Sequence, residues 1–133
     1  MTTDTDTTTN LETTIDRYID SWNETDADAR FAICREVWAD DGRYVDPLVD
    51  ATGPRAIADG LGGLQAQFPG HRVERVTGID AHHDQARFGW TISGPDGSVV
   101  FAGIDIVAVA ADGRLQTIAG FLGEVESAVA SAA

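Results

Sequence analysis

VVFAGIDIVAVAA (99–111), with DGRLQTIAGFLGE (112–124) after it, is the stretch on which the fold turns. Successive side chains of a strand point to opposite sides. Val99, Phe101, Val107 and Val109 fall on one side, and Val100, Ile104 and Ile106 on the other. A run apolar on both sides reads as a strand covered on both faces. Asp112-Gly113 supplies a hairpin turn, and Arg114–Gly123 reads as the returning strand. Helices can cover one face. The other also needs a cover, and a second copy of the chain, giving a homodimer through the outer sheet face, is the simplest.

Ahead of this hairpin, His71–Ile79 and Arg87–Ser93 carry the same strand pattern, and Gly94-Pro95-Asp96-Gly97 turns into Ser98–Ala111. No helix follows that glycine-containing turn, so it is not a phosphate loop. The chain before His71 is helical. Thr9 and Glu12 have capping-box spacing, and Leu11, Ile15, Tyr18, Ile19 and Trp22 follow on one face. A second helix starts at Thr25 or Asp26 and runs to about Ala39, with Phe31, Cys34, Val37 and Trp38 as its stripe. Asp40-Asp41-Gly42 turns into a short extended Arg43–Asp46, stopped by Pro47. Gly53-Pro54 opens a third helix, Ile57, Leu61, Leu64 and Phe68 share its inner face, and Pro69-Gly70 closes it. Gly60, Gly62 and Gly63 weaken it, by up to about 1 kcal/mol each against alanine. Three helices followed by a four-stranded antiparallel meander make an α+β domain with helices on one sheet face.

The 133 residues fit one domain. Residues 1–8 are Thr/Asp low complexity and read as a disordered tail, 9–124 as the domain, and 125–133 as an Ala-rich tail. No apolar run approaches the roughly 20 residues of a membrane span, and MTTDTDTTTN is neither basic nor apolar enough for a signal peptide. A cytoplasmic location with no membrane partner is expected. Net charge is −13, and all nine basic residues are arginines. That balance speaks against nucleic acid, whose phosphates need a basic patch. Aspartate outnumbers glutamate strongly, as in salt-adapted proteins; a GC-rich genome also favours Arg over Lys, and composition does not separate the two. Cys34 is the single cysteine, so no internal disulfide forms, and it reads as a small core residue.

Asp105 is the one polar side chain within 99–111. A carboxylate inside a buried strand is costly unless paired or neutral. Desolvation raises its pKa and favours a protonated acid able to donate a hydrogen bond; pairing with a neighbouring arginine such as Arg87 is the structural alternative. Tyr18 lies between Ile15 and Trp22 on a buried helix face, so its hydroxyl needs a partner. Pro47 holds Asp46 extended, where its carboxylate either faces a cavity or serves a turn. Trp22, Trp38, Phe68, Trp90 and Phe121 supply an aromatic lining, with His71 at the mouth. Few polar groups in an apolar surround suit a small apolar molecule. His82-His83 point apart and read as a solvated turn, so no metal site is expected.

RYIDSWN (17–23), ADDGRYVDP (39–47) and GIDIVAVAADGRLQTIAGFLGE (103–124) resemble, in order and spacing, the signature regions of Δ5-3-ketosteroid isomerases. The wider group holds SnoaL-like polyketide cyclases and other nuclear-transport-factor-2-like proteins. The resemblance spans Leu11 to Glu124. It implies a cone-shaped, curved antiparallel sheet packed by three N-terminal helices, the cystatin-like roll. It also implies Tyr18 and Asp105 as oxyanion donors, Asp46 as the base, and no cofactor. The reaction so implied is proton transfer through an enolate, an isomerisation or an aldol cyclisation. A non-catalytic binding or dimerisation module of the same fold is the alternative. Two features depart from the isomerases: the span from Tyr18 to Asp46 is about one helical turn longer, and the third helix has no tyrosine matching their supporting one.

A charge of −13 repels itself, and 0.1 M salt screens that repulsion beyond roughly 10 Å. The melting temperature is expected to rise between low and molar sodium chloride, measured by scanning calorimetry. An unchanged value rejects the reading of a surface adapted to salt.

Overall fold

A computed structural model of the chain describes residues 4–123. Three helices, α1 (Asp4–Asn23), α2 (Ala27–Val37) and α3 (Pro54–Gln67), cover one face of a curved, unclosed sheet. Its strands are β1 (Trp38–Val45), β2 (Asp50–Thr52), β3 (Arg72–Arg75), β4 (Asp80–His82), β5 (Gln85–Ser93), β6 (Val99–Val109) and β7 (Leu115–Leu122). The order is β2-β1-β7-β6-β5-β3, with β4 also on β5. The α+β class expected from the sequence is the observed one. Among the described residues no helix is long and apolar enough to cross a membrane.

The expected stripe of α1 is the one it buries: Ile15, Tyr18 and Ile19 are in the core, with Leu11 and Trp22 packed against it. The helix starts earlier than the Thr9 cap, so residues 4–8 of the expected tail are helical. Once a packed face nucleates a helix, each added turn costs little. Residues 1–3 and the expected C-terminal tail lie outside the described residues. The α2 helix is capped by Asp26, whose side chain accepts from Ala29 N at 2.9 Å. It buries Arg30, Ile33, Cys34 and Val37. Phe31, expected inside, is partly buried: it packs against the core and lies under the Arg55 guanidinium at 3.6 Å.

Three corrections concern the sheet. It is mixed rather than antiparallel, because β1 runs parallel to β7 while β7, β6 and β5 form the expected antiparallel meander. And α2 stops at Val37, so Asp40-Asp41-Gly42 lies within a bulged strand instead of a turn. The register slips between Trp38 and Arg43, as a β-bulge does. A Cβ at Gly42 would stand 2.6 Å from Trp38 Cε3 and 3.0 Å from Ala39 O, so the bulge folds tightly over the tryptophan. The single strand expected over 71–79 is broken because Thr77 Oγ1 accepts Gly89 N at 2.8 Å in place of a ladder bond.

Along β6 the two faces differ. Asp105 and Val107 point into the core, while Val100, Ile104 and Ile106 are exposed on the outer face. Gly42→Ala is expected to cost about 1–3 kcal/mol by overpacking against Trp38. Gly63→Ala, where nothing lies within 4 Å, should gain about 0.5–1 kcal/mol by removing a helix-interior glycine. Urea denaturation midpoints check both; a Gly42→Ala chain as stable as wild type would show that β1 can flatten around Trp38.

Candidate active site

Between α1, α3 and the inner face of the sheet lies a cavity of about 100 Å³, open at one side. Its walls are apolar, and its polar groups are few: Asp46, Asp105, Tyr44, Gln65 and the rim residue His71. Of the residues expected to form a site, Asp46, Asp105, Trp22, Phe68, His71 and Trp90 line it. Tyr18, Trp38 and Phe121 do not. Trp38 is fully buried behind the cavity, edge-on to the Tyr18 ring at 6.0 Å, and its Nε1 has no partner among the described residues. Phe121 pairs with Ile104 across β6 and β7, so strand alternation turns it outward, where it is 60% exposed.

Asp105 sits at the centre of the sheet, opposite Phe88 on β5 and Gly120 on β7. The Tyr18 hydroxyl donates to its Oδ2 at 2.9 Å, and Trp90 Nε1 donates to its Oδ1 at 2.9 Å. Burial pushes the Asp105 carboxyl up to about 7; the two donors pull it down, and the nearby Asp46 pushes it up further. The arginine alternative does not hold. Arg87 pairs with Ile106, faces outward and binds Asp80 at 2.9 Å. Tyr18 therefore reaches the cavity only through Asp105. Burial first, then the Asp105 charge, holds its phenol well above the ordinary pKa, so it remains a donor.

Asp46 follows β1 in a tight turn. Its Oδ1 accepts the backbone N–H groups of Leu48 and Val49, each at 2.7 Å, and Asp46 N donates to Val49 O at 2.8 Å. Its Oδ2 accepts the Tyr44 hydroxyl at 2.5 Å. Tyr44 is the residue that sequence reading passed over. Strand alternation was the signal available, since Tyr44 and Asp46 share one face at i and i+2. Gly120 was passed over as well. A Cβ built there would lie 3.0 Å from Asp105 Oδ1 and 3.3 Å from both Tyr44 Oη and Asp46 Cβ. Asp46, Tyr44 and Asp105 thus close in over Gly120, where a side chain would crowd them.

His71 lies at the rim, its Nδ1 3.1 Å from Pro69 O and its ring against Phe68. His82 and His83 are exposed, and among the described residues no cluster of three His, Cys, Asp or Glu is placed to hold a metal. Cys34 is fully buried in the core, as expected, and burial pushes its thiol up to about 11.

A family model described as the SnoaL-like domain matches residues 15–118. Among solved structures, one provisionally described as an isomerase of the SnoaL-like family from Agrobacterium tumefaciens str. C58 is 34% identical. Its TM-score is 0.83, over 87% of this chain and 99% of that one. A protein provisionally described as a SnoaL-like polyketide cyclase, from Jannaschia sp. CCS1, is 17% identical with a TM-score of 0.70, over 86% of this chain and 85% of that one. A protein of unknown function with a cystatin-like fold, from Methylobium petroleophilum PM1, is 20% identical with the same TM-score, over 90% and 80%. These two share the fold alone. No curated protein sequence matches the chain. The family model runs from Ile15 in α1 to Ile118 in β7, more than half of the chain, and on that match the chain belongs to the SnoaL-like domain family.

Proposed function

We propose that this protein is a cofactor-independent enzyme that moves a proton on a small apolar carbonyl compound through an enolate. The observation that carries the reading is that two acidic residues, Asp46 and Asp105, line one apolar cavity beside Gly120, with burial raising the Asp105 carboxyl to about 7. Asp46 would take the proton from the carbon beside the carbonyl. Asp105, protonated, would donate to the developing oxyanion. Tyr18 and Trp90 hold one oxygen of Asp105 each, so its remaining hydrogen is free to face the cavity. Tyr18 is then a positioning residue, not the direct donor that family resemblance implies. A ligand-binding module is the second reading. The three hydrogen bonds that Asp46 accepts favour it, because they also suit a purely structural turn residue.

The test is turnover of 3-cyclohexenone, a β,γ-unsaturated ketone, followed by the absorbance of its conjugated product. Asp46→Asn keeps the shape and cannot accept the proton, so it should abolish turnover and leave binding intact. Asp105→Asn retains a weaker donor and should lose less than the about 10²–10³ in rate that removing an oxyanion donor costs. The donor form of Asp105 exists below about 7, so wild-type kcat should fall as pH rises through 7, and Asp105→Asn should lack that limb. The same raised pKa makes the fold lose stability from the ordinary aspartate range up to about 7, again absent in Asp105→Asn. Saturable binding of the ketone without turnover, over pH 5 to 8, would favour the binding module.

We also propose a homodimer through the outer sheet face. Ile104 and Ile106 are each 40% exposed there, with Val100 and Phe121 also exposed, and a two-fold contact would cover these apolar side chains of one copy with the same side chains of another. Sedimentation velocity at micromolar concentration should show a dimer that Ile104→Arg splits. A monomeric wild type would reject this.

A further inference from the structure

We infer that Tyr44 is a catalytic donor, whose hydroxyl hydrogen turns from Asp46 to the ligand's oxygen, seated over Gly120, as Asp46 takes up the proton. This rests on the enolate reading above and adds a residue and a coupling to it. Asp105 Oδ1 and Tyr44 Oη flank the Gly120 Cα closely: they lie 3.0 and 3.3 Å from the position a Cβ would take there. Both line the cavity, so a ligand oxygen resting on Gly120 from the cavity side has the two groups on either hand. Tyr18 cannot share this point, because it is fully buried and its hydroxyl is engaged on Asp105 Oδ2. Tyr44 lines the cavity and Tyr18 does not.

The hydrogen bonds on Asp46 decide which oxygen works. Oδ1 already accepts two backbone N–H groups, whereas Oδ2 accepts only the Tyr44 hydroxyl. Oδ2 therefore has the open lone pair. In the step, the substrate's C–H bond breaks and an O–H bond forms on Asp46 Oδ2. The C–H electron pair becomes the enolate C=C, and the carbonyl π pair moves onto oxygen. Asp46, now neutral, is a weaker acceptor, while the enolate oxygen is a charged and stronger one. Tyr44 carries one hydrogen, and that hydrogen follows the charge by rotation about the C–O bond. No proton leaves Tyr44. Return of the proton to another carbon reverses the sequence. Burial is the largest cause that raises the Tyr44 phenol far above its ordinary pKa, and it persists when Asp105 and Asp46 are neutral, so the hydroxyl stays intact through the cycle. The ligand that fits has one oxygen at the Gly120 end and an apolar body against Trp22, Leu64, Phe68 and Leu122.

The chain holds two tyrosines, so fluorinated tyrosine is placed at position 44 alone by stop-codon suppression, which leaves the Tyr18 bond to Asp105 in place. With 3-cyclohexenone as the probe, Tyr44→Phe should lower kcat by about 10²–10³ with KM little changed. Across mono-, di- and trifluorotyrosine at 44, kcat should vary steadily with phenol acidity, which a ring that merely packs would not produce. Gly120→Ala should raise KM by about tenfold or more, since a methyl there pushes the oxygen off its seat between Asp105 and Tyr44. Should Tyr44→Phe misfold by circular dichroism, the fluorotyrosine series decides alone, and a flat series overturns the inference. Full kcat in Tyr44→Phe, with Asp46→Asn inactive, overturns the role of Tyr44 and leaves the enolate reading standing. A wild type that never turns the ketone over ends both, and an unchanged KM in Gly120→Ala removes the proposed seat.

Discussion

The hydrogen bond from Tyr18 to Asp105 ties the first helix to the middle of the sheet, and the cavity depends on it. Both groups are buried, Asp105 to 3% exposure and Tyr18 completely. A carboxyl in that position is tolerated only with its oxygens bonded, and Trp90 supplies the second donor. Removing one partner leaves a buried polar group unsatisfied, which costs about 1–3 kcal/mol. The bond also fixes the rotation of α1 about its axis. With Tyr18 pointing at Asp105, Ile15 and Ile19 fall into the core and Trp22 reaches the cavity wall, one turn further along. Stability and site geometry thus share one contact.

A second polar anchor holds the other wall. Arg30 is buried, yet its acceptors are carbonyl oxygens and not a carboxylate: Ala58 O at 3.0 Å, Glu24 O at 2.9 Å and Gln65 Oε1 at 2.9 Å. These join α2, α3 and the turn after α1. Gln65 then donates to Trp22 O and Glu24 O, so two lining residues are fastened together from behind. The glycines of α3 acquire a reason here. A Cβ at Gly62 would come within 3.0 Å of Arg30 Cζ, and one at Gly60 within 3.0 Å of Val49 Cγ1. The helix gives up local propensity at both positions so that the guanidinium and the turn beyond Asp46 can pack closely.

Much of this was legible in the sequence, and the reasons are local. The α1 stripe, the hairpins and the doubly apolar β6 follow from periodicities of 3.6 and 2 that a chain displays without knowing its neighbours. The conspicuous Asp105 in an apolar run was legible for the same reason. What escaped depends on pairing between distant segments. The chain straightens at Trp38 because β7 receives it in a parallel ladder, and nothing near Trp38 encodes that. Phe121 was read as lining because it is aromatic; its direction is set by pairing with Ile104. Arg30 is buried deeper than Phe31 on α2 because its acceptors lie on distant segments, Ala58 and Gln65 of α3 and Glu24 in the turn after α1.

The candidate site is itself a product of that parallel pairing. Tyr44 stands opposite Ile118 and Val45 opposite Ala119, so Asp46 arrives beside Gly120 as the next step along both strands. On its other edge β7 places Gly120 opposite Asp105. Three strands therefore bring Asp46, Gly120 and Asp105 into one row, with a glycine at the centre and a carboxylate on each side. A slip of one residue in either ladder would turn one carboxylate away from the helices. Any side chain at the centre would fill the space between them. Glycine in a sheet interior usually weakens a strand; at position 120 its lack of a side chain is what leaves room for a ligand where the two acids and Tyr44 meet.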